Sequence, residues 1–215
     1  MDHNCPICHE STCSITHKKL GTFYKCDKCD FIHKDRNHLI TLKQELAIYN
    51  NHNNSIDDPK YVAFFNRFLY KAVFPYVNSG KKAFDFGSGP TPVLAQILQR
   101  YHQYDMVIYD LFYATNKSYI NKKFDLITST EVLEHVKDPI STFKLLVSLL
   151  KKDGVLAIMT LYHPNNDDDF LKWYYIRDPS HISFYSLKTM HIIANMLNCE
   201  IIYSDYHRYT TFKLK

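Results

Sequence analysis

The chain has 215 residues, 46% hydrophobic and 22% charged, with a formal net charge of +4 when its 12 His are counted as neutral. Seventeen Tyr, fourteen Phe and one Trp supply ample core material and exclude intrinsic disorder. No apolar run reaches the roughly 20 residues that span a bilayer, the polar start MDHNCPICHE is no signal peptide, and the charge is too mild to imply a nucleic-acid partner by itself. This length holds one catalytic domain and a small appendage, read here as cytoplasmic, with no membrane partner and no oligomeric state set by composition.

Residues 1–36 are rich in Cys and His and poor in aliphatics, so no apolar core forms there unaided. Cys5-x-x-Cys8 and Cys26-x-x-Cys29, with 17 residues between the pairs, have the spacing of a tetrahedral Zn²⁺ site. The metal then supplies the folding energy, with Phe23, Tyr24 and Phe31 packed around it. His9, Cys13, His17 and His33 lie close enough in sequence to replace one thiolate. A disulfide pair belongs to oxidising compartments, and a redox dithiol comes singly. Cys13 and Cys199 have no pairing logic. The segment resembles a zinc ribbon, a structural module found on nucleic-acid binders and as flaps on enzymes.

Residues 37–80 read as a helical linker or lid. LITLKQELAIY is followed by the polar break NNHNNSIDDP and then by YVAFFNRFLYKAVFPYV, where Val62, Phe65, Leu69, Ala72 and Val73 recur at helical spacing. Asp58 is a candidate N-cap with Pro59 at the first helical position.

Residues 81–215 alternate. KKAFDF, DMVIYD, KFDLITS and VLAIMTLY read as strands; PVLAQILQRY, DPISTFKLLVSLLKKDG and SLKTMHIIANMLN read as helices, and EVLEHV as a short helical segment. Thr91 caps the first helix, Asp138 the second and Ser186 the third. Residues 163–185 read as an irregular stretch carrying Trp173, Tyr174, Tyr175 and Arg177, an acceptor-binding lid, with Asp167–Asp169 as a solvated tip. CEIIYSDYHRYTTFKLK closes the chain as an antiparallel hairpin at one sheet edge. Such alternation predicts an α/β fold with a mostly parallel sheet and helices on both faces.

The chain holds only five Gly, and Gly87 and Gly89 fall together in Phe84-Asp85-Phe86-Gly87-Ser88-Gly89-Pro90-Thr91-Pro92, between a strand and a helix. Glycine there allows a sharp turn and close backbone approach to a ligand. A strand ends at Asp110, 23 residues past Gly87, where a carboxylate can accept two ribose hydroxyls. Pro90 and Pro92 remove amide donors that a pyrophosphate would need, which disfavours a nicotinamide oxidoreductase, and no G-K-[ST] is present for a P-loop.

The D-x-G-x-G pattern resembles the first motif of class I S-adenosylmethionine (SAM)-dependent methyltransferases. Phe124–Ser129 followed by Glu131–Pro139 resembles that family's fourth-strand signature, and the closing hairpin its reversed seventh strand. The resemblance covers about residues 60–215 and implies a Rossmann-like, seven-stranded-type sheet. Only 14 residues separate Asp110 from Asp125, so the third strand is short or missing. The resemblance implies that Asp85, Gly87, Ser88 and Gly89 surround the methionine part of SAM. It implies that Asp110, with Leu111 and Phe112 beside it, holds the nucleoside, and that Thr128, Ser129 and Thr130 line the cofactor floor. Phe112 or Tyr113 could stack on the adenine.

A hydroxyl acceptor must lose a proton, a task suited to His135 or His181. Glu131, Glu134 and His135 fall at i, i+3 and i+4, one face of a helix. With His181 they form a candidate divalent-metal site, similar to that of small-RNA 3′-terminal 2′-O-methyltransferases; ubiquinone-pathway O-methyltransferases are similar in the E-x-x-E-H part. The expected reaction is methyl transfer to a hydroxyl of a small or carbohydrate-like metabolite. Alternatives are a nucleic-acid or protein acceptor, and a non-catalytic zinc-containing binding protein on a degenerate scaffold.

Overall fold

The computed structural model describes residues 4–51 and 55–215; His52–Asn54 of the Asn-rich break lie outside them. Two sheets organise these residues. The smaller is an antiparallel set formed by β1 (Thr12–His17), β2 (Gly21–Cys26), β3 (Ile32–Lys34) and β8 (Ser183–Phe184), in that spatial order. Its first three strands come from the Cys-rich segment, and the fourth comes from far along the chain.

The larger sheet has six strands. β5 (Asp105–Tyr109), β4 (Lys82–Phe86), β6 (Phe124–Thr130) and β7 (Leu150–Met159) run parallel. β10 (Tyr209–Leu214) then pairs antiparallel with β7, and β9 (Cys199–Ser204) forms the edge beyond it. Among the described residues, Leu111–Lys123 contributes no strand, only an isolated bridge between Asp110 and Ala114, so the third strand of the seven-stranded plan is missing.

Strand residues alternate between two cores, as a pleated sheet covered on both faces requires. Phe84, Ile127, Leu156, Ile158 and Phe212 face α4 (Pro139–Ser148) and α6 (Leu187–Met196). Ala83, Leu126, Val155, Ala157 and Met159 face α2 (Pro59–Phe68) and α3 (Val93–His102). Caps follow the sequence at Asp58, Asp138 and Ser186, each side chain accepting a first-turn amide. In α2, Phe65 is buried, and the helix continues through a π-helical turn, Leu69–Val73, that buries Leu69, Ala72 and Val73. The preceding helix, α1 (Leu42–Tyr49), has a capping box between Thr41 and Gln44 and no buried residue, so it lies on the surface.

Four local expectations are corrected. α3 begins after Pro92, with no side-chain cap from Thr91. α4 ends at Ser148, and Leu150 already belongs to β7. KKDG bulges out of that strand because Leu150 pairs with Phe124 while Val155 pairs with Leu126. A Cβ at Gly154 would sit 2.7 Å from the Phe124 carbonyl oxygen, so the bulge demands glycine. EVLEHV forms only one 3₁₀ turn, Leu133–His135, and Glu131 precedes it at φ 54°, so no helical face joins Glu131 to Glu134 and His135. Finally, residues 163–185 are ordered: α5 (Asp167–Lys172) is capped by Asn166, Tyr174–Arg177 is a 3₁₀ turn, and Asp167 pairs with Lys25 at 2.8 Å.

Candidate active site

The carboxyl ends of β4, β5 and β6 meet around a cavity of about 750 Å³, within the size range of small-molecule sites. The glycine turn forms one wall. The amides of Gly87 and Ser88 both donate to the Tyr109 carbonyl, at 2.8 and 3.1 Å. Gly87 has φ 84°, and a Cβ there would lie 2.2 Å from a Val132 methyl, so glycine is required twice over.

Asp110 ties this turn to its own loop. One carboxylate oxygen accepts the Gly89 amide at 2.9 Å; the other accepts the amides of Phe112 and Tyr113 at 2.9 and 3.1 Å. Asp85 is buried and accepts the Thr128 hydroxyl at 2.7 Å, and burial pushes its pKa up to about 7. Thr128 and Ser129 are fully buried behind the wall, whereas Thr130, Leu111 and Phe112 line it. Glu131 lines it as well, with its pKa raised to about 8 by burial first and by Glu134 second.

The buried Ser88 and Ser129 hydroxyls and one Glu131 carboxylate oxygen have no hydrogen-bond partner among the described residues. Such orphaned polar atoms need a partner from outside the chain. Ser88 and Glu131 line the cavity and fit a polar, cationic ligand such as SAM beside acidic Asp85, whereas Ser129 lies behind the wall.

The far end of the cavity holds Glu134, His135 and His181. Glu134 is fully buried; its carboxylate accepts the Thr160 hydroxyl at 2.9 Å and the Tyr175 hydroxyl. Burial raises its pKa. His135 and His181 have ring centroids 4.8 Å apart. The Nδ1 of each faces a backbone carbonyl, that of Ser180 at 3.1 Å and that of Tyr175 at 2.8 Å. Those bonds place the neutral-state proton on Nδ1 and leave Nε2 as the basic atom. Burial first, and His135 second, lower the pKa of His181, favouring the neutral ring.

One ligand atom each from Glu134, His135 and His181 lies within 4.8 Å of the others, a donor set a divalent cation would accept. Glu131 stands outside that group, in keeping with its backbone turn.

The individual residues that two helices of 37–80 bring to the cavity are not singled out in the sequence. Leu42, Glu45 and Tyr49 of α1 and Tyr61, Phe64 and Phe65 of α2 line the cavity. Tyr49 sits edge-on to His135 at 5.4 Å and leans on Phe112 at 5.8 Å. The available signal is the aromatic set Tyr61, Phe64 and Phe65 at helical spacing, of which the amphipathic pattern includes only Phe65.

The four cysteines of the two C-x-x-C pairs converge, their sulfurs within 4.8 Å of one another. Cys5–Cys29 and Cys8–Cys26 are each 3.4 Å apart, and all are free thiols. Sulfurs on a tetrahedral zinc stand about 3.8 Å apart, so little movement closes the site. Burial pushes the Cys26 thiol up to about 11, and a dication would offset that penalty.

A family model described as a methyltransferase domain matches residues 58–204. A ubiquinone biosynthesis O-methyltransferase of Haemophilus ducreyi is 50% identical over 40 residues, 19% of this chain and 17% of that protein. Its counterpart from Actinobacillus pleuropneumoniae is 52% identical over the same length and shares. The chain thus aligns with under a fifth of these curated relatives. Among solved structures, the mitomycin 7-O-methyltransferase MmcR superposes with a TM-score of 0.53 at 12% identity, over 80% of this chain and 67% of that one. An O-methyltransferase family 2 protein from Planctomyces limnophilus in complex with apigenin gives 0.54 at 13% identity, over 81% and 70%. A calicheamicin-biosynthesis methyltransferase with S-adenosylhomocysteine bound gives 0.54 at 10% identity, over 72% and 54%. At such identities the superpositions establish the fold, while the family match spans well over half of the sequence. The chain belongs to the methyltransferase-domain family, among the class I SAM-dependent methyltransferases.

Proposed function

We propose that this enzyme methylates a hydroxyl of a small, uncharged or cationic molecule, with His181 accepting the proton. SAM, when bound, supplies an activated methyl group, and the chain has to orient the acceptor, exclude water and take the proton. Gly87, Ser88, Gly89, Asp85 and Glu131 would hold the methionine part, and the Asp110 loop the nucleoside. The carrying observation is that His181, with Nδ1 held by the Tyr175 carbonyl, lines the same cavity as the glycine turn. Its Nε2 is then the proton acceptor. The small-molecule O-methyltransferase relatives and fold neighbours support this class of acceptor.

The cavity charge favours it over a nucleic acid. Glu45, Asp110 and Asp178 line it, with Asp85, Glu131 and Glu134 as carboxyls that burial keeps partly protonated until a cation approaches, against the single Lys137. Such a wall attracts a sulfonium and repels phosphodiesters. A divalent cation on Glu134, His135 and His181 would occupy that same His181 Nε2, so it is the alternative to proton acceptance by this nitrogen and would act by lowering the pKa of a bound hydroxyl.

We also take residues 1–36 as a zinc ribbon on Cys5, Cys8, Cys26 and Cys29, 37–80 as the lid and 81–215 as the catalytic core. Free thiols at a zinc site suit the reducing cytoplasm. Tritiated SAM with a panel of phenols, catechols, sugars and short RNAs tests the assignment. Methyl transfer to a small hydroxyl, lost in His181→Ala with sinefungin binding retained, is the expected result; transfer to RNA alone would overturn it.

A further inference from the structure

We propose that the Cys-rich ribbon is a positioning element for His181, so that metal occupancy of its four thiolates governs the geometry of the proton acceptor. This rests on the zinc and His181 readings above.

The connection runs through backbone. β3 of the ribbon pairs with β8, Ile32 opposite Phe184 and His33 opposite Ser183. Ile182, the residue after His181, is held from both sides. Its carbonyl accepts the Lys34 amide at 2.9 Å, and its own amide donates to the Glu134 carbonyl at 2.8 Å. The ribbon strand, the His181 segment and the Glu134 turn are therefore laced in series. The Ser183 hydroxyl adds a bond to the Val136 carbonyl at 2.7 Å, and the Tyr185 hydroxyl one to Leu133 at 3.0 Å.

The second knuckle is clamped to the same region. The Thr189 hydroxyl, in the first turn of α6, donates to the Cys29 carbonyl at 2.7 Å. His163 Nε2 lies 2.7 Å from the Asp30 carbonyl, and Lys188 reaches the Asp27 carbonyl at 3.1 Å. Phe31, fully buried, packs edge-on against Tyr185 at 5.2 Å. β8 is only two residues long, so it has little strength of its own and depends on β3. β3 in turn follows directly from the Cys26–Cys29 knuckle. A segment of this kind cannot hold its shape by apolar burial alone, and its metal supplies the missing free energy. Releasing the metal loosens β3, and β8 with His181 loosens with it. The glycine turn and the Asp110 loop hang on β4 and β5, which belong to the other sheet and pair with no ribbon strand.

The test uses the full chain carrying one zinc, on the four cysteines, and no acceptor, compared with the same chain stripped by a chelator, so that no metal leaves His181 itself. Metal removal should speed amide exchange at Ile182–Tyr185 by about tenfold or more. It should also move the His181 imidazole nitrogen signals, while sinefungin affinity changes by less than about threefold. Unchanged exchange and unmoved His181 signals would overturn the proposal. Should the stripped chain unfold, zinc-loaded Phe31→Leu, which loosens the ribbon's contact with Tyr185 and leaves the Ser186–Thr189 cap intact, decides: raised exchange over β8 and shifted His181 signals support it, and wild-type behaviour refutes it. Elemental analysis separates the failures. A chain lacking zinc removes the ribbon reading and the coupling together; a chain with zinc and an indifferent β8 removes the coupling alone.

Discussion

The Asp110 carboxylate accepts the Gly89 amide at 2.9 Å, so the acidic residue at the end of β5 closes the turn after β4. With Phe112 and Tyr113 also donating to it, Asp110 builds the cofactor wall as well as facing it. Asp110→Ala should weaken sinefungin binding by roughly 100-fold, since both a charge-assisted ligand and the loop scaffold are lost. Asp110→Asn keeps an acceptor for one loop and loses the other, and should cost roughly tenfold. Calorimetry reads both; an Asn variant as weak as Ala would mean that charge, not loop closure, dominates.

Asp85 makes binding pH-dependent. Its pKa near 7 in the unliganded chain reflects burial, with Asp110 a smaller like-charge contribution. A bound sulfonium favours the carboxylate and releases the proton, so affinity should rise with pH through about 7. Stability runs the other way. A carboxyl whose folded pKa lies above its unfolded value stabilises fully below the latter, and that contribution is lost as pH rises towards 7. The unliganded chain should therefore melt lower at pH 8 than at pH 6. Asp85→Asn should reduce both slopes near pH 7 and leave the part that Glu131 contributes near pH 8, as measured by thermal melts and titrations.

Gly87→Ala should fold poorly. Its φ of 84° and the 2.2 Å approach to Val132 combine strain with a clash. A loss of about 1–3 kcal/mol is expected in denaturant melts. Adding Val132→Ala should recover only the clash component.

Tyr175 both donates to Glu134 and holds His181 through its carbonyl. Tyr175→Phe leaves a buried carboxylate one donor short, which should cost about 1–3 kcal/mol of stability. The carbonyl persists in that variant, so sinefungin affinity should stay unchanged in calorimetry.

Cobalt(II) titration reads the Glu134–His135–His181 cluster in a chain whose cysteine site is already zinc-filled. A visible spectrum from nitrogen and oxygen ligands is expected, lost in His135→Ala and kept in Glu131→Gln. Loss of the signal in Glu131→Gln would bring Glu131 back into the ligand set.

Much of this molecule was legible in its residues, because the decisive signals are local. Helix starts at Asp58, Asp138 and Ser186, the Gly87–Gly89 turn, the two C-x-x-C knuckles and the missing third strand all follow from spacing within a few residues. Local chemistry of that kind acts through caps, φ angles and ligand reach, which neighbours along the chain impose on one another. Tertiary structure alone decided the rest. It took Glu131 out of the Glu134–His135 group, turned KKDG into a bulge, and set α1 and α2 over the cavity. It also joined Lys34 to Ile182, nearly 150 residues apart, through a backbone bond that carries no side-chain signature. Any two short strands can make such a bond, and which two do so depends on how the whole core packs.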